Sequence, residues 1–130
     1  MSATPPGNRK GDQLQKILQD FVVRTPAALI AIAATREGLS IASVKNGATA
    51  KEEDTLAVAA RILDMAAEVN NQLNQGRIGR ILIEGAEKTT IVMAAGRDIA
   101  LIVTVPADAK LGLAMLSIRS TARQIAQVYD

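Results

Sequence analysis

Residues 78–105 read IGRILIEGAEKTTIVMAAGRDIALIVTV. Three apolar runs stand out in them, Ile78 to Glu84, Thr89 to Ala95 and Ile99 to Val105, parted by the short loops Gly85-Ala86-Glu87-Lys88 and Gly96-Arg97-Asp98. Runs of this length, rich in Ile, Val and Thr and joined by Gly-bearing loops, predict three extended strands paired as an antiparallel meander. Upstream, Ala28 to Ala34 is an apolar run too short for a typical helix, bounded by Pro26 and by Arg36-Glu37-Gly38. It reads as a strand buried on both faces. Leu39 to Val44 alternates better and follows the Gly-containing turn, which makes the two a hairpin that Lys45-Asn46-Gly47 closes.

Helical spacing fills the rest of the chain. From Asp12, an expected N-cap, Leu14, Ile17, Leu18 and Phe21 recur at 3 and 4 spacing until Arg24-Thr25-Pro26 breaks the pattern. Thr49-Ala50-Lys51-Glu52 fits a capping box, opening a second helix expected to reach about Asn74, with Gly76 as its stop. After Pro106, with Asp108 as an expected cap, Leu111, Met115, Ile118, Ala122, Ile125 and Tyr129 form a third helical stripe. The predicted class is α+β, sandwich-like, in the order α-β-β-α-β-β-β-α, with one five-stranded antiparallel sheet carrying helices on its faces. Residues 1–11, with two Pro, two Gly and no apolar period, are expected to be a disordered tail, leaving residues 12–130 as a single domain.

Composition narrows the chemistry. The chain of 130 residues has no His and no Cys, one Phe, one Tyr and no Trp, so its core is aliphatic. Thiol and Ser-His-Asp nucleophiles, disulfides, zinc fingers and haem ligation through His are excluded from its own residues, which leaves only an all-carboxylate site for Mg or Ca. No Walker-type Gly-x4-Gly-Lys-Ser/Thr occurs, and Gly76-Arg77-Ile78-Gly79 precedes a strand rather than following one, the wrong context for a dinucleotide site. Glu84 and Glu87 read as solvated turn charges, and Glu52, Glu53 and Asp54 as first-turn acids favoured by the helix dipole. Arg77, Arg80, Arg97, Arg119 and Arg123 raise the question of nucleic acid, but net charge is only +2 and stacking aromatics are lacking. We therefore expect no catalytic residue, no cofactor, no metal and no nucleic-acid partner. The longest stretch free of charge, Thr25 to Thr35, is far short of the roughly 18 apolar residues of a membrane span, and a cytoplasmic protein is expected.

The second helix has two apolar stripes. Val58, Ile62, Met65, Val69 and Leu73 form one of large side chains, which we expect to pack on the sheet. Leu56, Ala59, Ala60, Leu63, Ala66, Ala67 and Asn70 form another, about 120° further round, and one sheet does not cover both. This Ala-rich stripe is expected to meet a second copy or another protein, because small side chains let helix axes approach closely.

The order of elements and these residues resemble the roadblock family, which includes roadblock-type dynein light chains and bacterial partners of Ras-like GTPases. The similarity covers nearly all of Asp12 to Val128. Its most recognisable parts are the turn Ala34-Thr35-Arg36-Glu37-Gly38-Leu39, the strand Arg80-Ile81-Leu82-Ile83-Glu84-Gly85, and the passage from Leu101 through Pro106 and Leu111-Gly112 to Ile118-Arg119. Family turns often carry Asp-Gly where this chain has Glu37-Gly38. The resemblance implies a roadblock/longin/profilin-like fold and a homodimer or roadblock heterodimer. In such dimers second helices pair, and third strands, here Arg80, Ile81, Leu82 and Ile83, meet edge to edge. It also implies a module without chemistry of its own that binds and regulates a small Ras-like GTPase through its paired second helices. Two alternatives stand beside it: a scaffold or motor-adapter subunit with no effect on nucleotide turnover, and a small-ligand sensor with a pocket between helix and sheet.

Overall fold

The computed structural model describes residues 9–46 and 50–129. Helix α1 (Lys10–Arg24) leads into strands β1 (Ile30–Thr35) and β2 (Ser40–Lys45). A helical run follows, made of α2 (Ala50–Ala57), a 3-10 turn (Val58–Arg61) and α3 (Ile62–Gln72). Strands β3 (Arg80–Glu84), β4 (Lys88–Ala94) and β5 (Ile99–Pro106) come next, then α4 (Leu111–Tyr129). The five strands form one sheet in the order β2-β1-β5-β4-β3, and every neighbouring pair is antiparallel. Element order and fold class are those the sequence implies.

The unbroken apolar strands take the middle of the sheet. β1 and β5 are buried along almost their whole lengths, because alternate residues of each face opposite helical layers. Leu101, Val103 and Val105 face α1 and α4, where they meet Leu14, Leu18, Phe21, Ile118 and Ile125. Ala100 and Ile102 face the other way, with Ile30, Ile32 and Val92, toward Ala57, Ala60 and Leu63 of the second helical run.

Helix boundaries differ from the sequence reading in four places. Lys10 and Gly11, expected in the tail, open α1; the Lys10 ammonium lies 5.1 Å from the centroid of the Tyr129 ring, a tertiary contact that local composition does not reveal. Arg9 rather than Asp12 occupies the N-cap position, and Asp12 sits in the first turn, where its charge still favours the dipole. The rest of the expected tail, and Thr49 of the expected capping box, lie outside the described residues. Asp108 falls in a turn ahead of α4, where the Ala109 N–H donates to the Pro106 carbonyl at 3.0 Å. Finally, α3 ends at Gln72, and the residue that stops it is Asn74 rather than Gly76: Asn74 has φ 55°, the Gln75 N–H donates to the Asn70 carbonyl at 2.8 Å and the Asn74 N–H to that of Asn71 at 3.2 Å. That is a Schellman cap built on asparagine, the residue after Gly that best tolerates the left-handed region.

The β1–β2 turn packs against the helical run. Gly38 has φ 99°, and a Cβ built on it would stand 3.1 Å from Val58 Cα. Gly38→Ala therefore combines a strained backbone with a clash against main chain, and is expected to cost about 1–3 kcal/mol. Urea unfolding checks this; an unchanged midpoint would show that the turn does not hold the helix.

Candidate interaction surface

The two stripes of the second helical run lie the opposite way round from the sequence reading. Ala60 and Leu63, expected to meet a partner, are 0% exposed and belong to the core against the sheet, as does Ala57. Leu56 and Ala59 pack at the margin of that core, and Ala66, Ala67 and Asn70 are half-buried. Val58, Ile62, Met65, Val69 and Leu73, expected on the sheet, are exposed instead, Met65 to 72% and Leu73 to 61%. Size explains the inversion. The sheet presents Ile30, Ile32, Val92 and Ile102 on this face, so its bulk is already supplied by the strands. Alanines let the helix settle close, with Leu63 as the single large knob between them.

What remains outward is a stripe of large side chains along α2, the 3-10 turn and α3. Single exposed apolar residues are ordinary, but five at helical spacing on one face make it the candidate interaction surface. Polar groups fix the stripe in place. Arg36 Nη1 in the β1–β2 turn lies 3.4 Å from Asp64 Oδ1 on α3, and Glu53 ties α2 to β2. Its Oε2 accepts from the Ser40 hydroxyl at 2.6 Å, and its Oε1 lies 2.9 Å from Lys45 Nζ.

The Ser40 hydrogen bond is the main reason that the Glu53 carboxyl is held below the ordinary carboxylate value; partial burial opposes this, and Lys45 and Ser43 add to the lowering. A carboxylate lowered in the folded state stabilises above its unfolded pKa, and that contribution disappears as pH falls through the folded value. Glu53→Gln should therefore cost about 1–2 kcal/mol at pH 7, with the difference from the parent shrinking below about pH 4. Melting curves at both pH values test this; an equal deficit at both would mean that the charge plays no part.

β3 is an edge strand with β4 as its one neighbour in the sheet. Arg80, Leu82 and Ile83 are exposed and Ile81 is half-buried, so the four residues assigned to a dimer edge do lie along an open edge. Among the described residues, a cleft of about 550 Å³ opens between the start of α2 and the sheet, lined by Ile30, Lys51, Leu56, Lys88, Thr90 and Thr104 among others. On it the Thr90 and Thr104 hydroxyls bond each other at 2.8 Å. Glu84 and Glu87 are both exposed, as solvated turn charges should be. No helix among the described residues is long and apolar enough to cross a membrane.

Residues 14–105 match the family model of the Roadblock/LC7 domain. Among solved structures, the chain is similar to an MglB described with a tetrameric arrangement, with TM-score 0.82 and 20% identity over 93% of this chain and 90% of that one. It is similar too to the gliding protein MglB of Thermus thermophilus, with TM-score 0.81 and 19% identity over 93% and 91% of the two chains. A Roadblock/LC7 domain from Streptomyces avermitilis gives TM-score 0.80 and 15% identity over 88% and 96%. At these identities the likeness is one of fold. No curated protein matches the chain.

Proposed function

The chain belongs to the Roadblock/LC7 domain family, and from that premise we propose that it works as a dimeric, non-enzymatic module that binds and regulates a small Ras-like GTPase in the cytoplasm. The observation that carries this reading is the outward stripe of Val58, Ile62, Met65, Val69 and Leu73. A monomer gains nothing by holding five large apolar side chains in water, and a dimer or complex that covers them gains about 25 cal/mol for each Å² removed from solvent. The open β3 edge supports the same reading, since backbone amides left unpaired at an edge are satisfied when a second strand adds to the sheet.

Without a phosphate loop of its own, such a module changes nucleotide turnover by favouring one arrangement of the GTPase's mobile loops. That is a shift in population, and it requires contact that differs between the loop states. Paired helical runs supply a broad apolar surface for that contact. The scaffold reading differs only in the readout. Single-turnover GTP hydrolysis by a Ras-like GTPase from the same cell, with and without this chain, separates the two. A changed rate supports regulation, and binding with unchanged turnover leaves a scaffold. The ligand-sensor reading rests on the cleft beside α2, and a panel of small metabolites that leaves the melting temperature unchanged would count against it.

A further inference from the structure

Arginines far apart in sequence converge on one side of the fold. Arg119 and Arg123, one turn apart on α4, line a groove of about 230 Å³ together with Gly79, Met93, Gly96 and Ala122 among others. Arg80 follows Gly79 and stands opposite Met93 in the β3–β4 ladder. Residues directly opposite share a face of the sheet, and Met93 belongs to the core on the α1 and α4 side, so the Arg80 side chain lies on that side too. Arg77 is three residues ahead of it. All four arginines are exposed, and among the described residues none of their guanidinium groups is in an ion pair. Arg97, beside Gly96, already has a partner within the chain.

The charge is segregated rather than abundant. α4 contains no Asp or Glu, whereas residues 50–72, on the other side of the sheet, carry five acids and two bases. A chain with a net charge of only +2 thus acquires a locally basic surface. Along α4 the exposed surface continues past the arginines to Leu116 and Leu113, 67% and 65% exposed. At about 100° per residue, Leu113, Leu116, Arg119 and Arg123 fall within about 120° of the helix circumference, over a length of about 15 Å.

We propose that this face of α4 docks on an anionic lipid surface, with the arginines on headgroup phosphates and the two leucines at the acyl boundary. Guanidinium groups match phosphate oxygens bidentately. A bilayer interface offers negative charge and apolar depth in one plane, which fits arginines and leucines on one helix face. A free anion uses the arginines and leaves the leucines in water. α4 and the second helical run pack on opposite faces of the sheet, so this docking goes beyond the reading above and leaves the outward stripe open to a protein partner.

Cosedimentation with vesicles tests this, one set an equal mixture of phosphatidylserine and phosphatidylcholine, the other phosphatidylcholine alone. The parent is expected to sediment with the mixed vesicles and not with the neutral ones, and to be released as salt is raised. R119E/R123E is expected to bind about 30-fold more weakly or worse, since each basic residue near an anionic surface contributes about fivefold in affinity. L113S/L116S is expected to lose about tenfold even at low salt. All four substituted side chains are exposed, and circular dichroism reports that the variants are folded. A parent that ignores the mixed vesicles overturns the proposal and leaves the face to an acidic protein. Binding that R119E/R123E leaves intact overturns the choice of face. Binding that L113S/L116S leaves intact shows recognition of the phosphate group alone, and overturns the bilayer as the occupant.

Discussion

Ala60→Arg is expected to leave little folded protein. Ala60 is fully buried where the 3-10 turn meets the sheet, among Ile32, Val92 and Ile102. An arginine there must either push the helix off the sheet or bury a guanidinium in that apolar cluster. Overpacking and an unpaired buried charge together cost about 4 kcal/mol or more, against a total stability of about 5–15 kcal/mol for a domain. Leu63→Ala, which only opens a cavity in the same contact, should cost about 2–5 kcal/mol. Urea unfolding reads both. A folded, normally stable Ala60→Arg protein would restore the Ala-rich stripe to the surface and undo the assignment made above.

Met65→Glu is expected to do the reverse. Met65 is exposed on the outward stripe, so the charge enters water in the monomer and the melting of the isolated fold should change by no more than about 0.5 kcal/mol. In an assembly whose centre is that stripe, the same carboxylate is desolvated without a partner. A loss of about 2–4 kcal/mol at an interface centre corresponds to association weaker by about 30-fold to 1,000-fold. Val69→Glu, one helical turn on, should behave alike. Parent-like association and GTPase binding in both variants would remove the stripe from the interface.

Most of the fold is legible in the sequence because punctuation and burial agree. Pro26 parts α1 from β1, Gly38, Gly85, Gly96 and Pro106 break the chain where strands end, and the apolar runs of β1 and β5 announce strands covered on both faces. The open edge at Arg80 to Ile83 is implied by the family resemblance, since a meander alone does not say which of its end strands joins the β1–β2 hairpin. The direction of the second helix is not legible. Periodicity gives two apolar stripes and their angle, and the choice between them depends on the bulk already on the sheet. Ile30, Ile32, Val92 and Ile102 supply that bulk, and Gly38, which brings the β1–β2 turn within van der Waals distance of Val58 Cα, requires a slim helix at that point. Reading the strands' inward residues against the helix, rather than the helix alone, would have placed Ala57, Ala60 and Leu63 inward. The first turn of α1 escaped for a different reason: it is held by Tyr129 at the far end of the chain.

The claim that everything else depends on is that this chain pairs. Light scattering on a sizing column, run at several concentrations, measures it with no assumption about partners. The account predicts a mass near 27.4 kDa, twice the 13.7 kDa chain, falling toward the monomer value for Met65→Glu. A parent that elutes at 13.7 kDa at every concentration would contradict it.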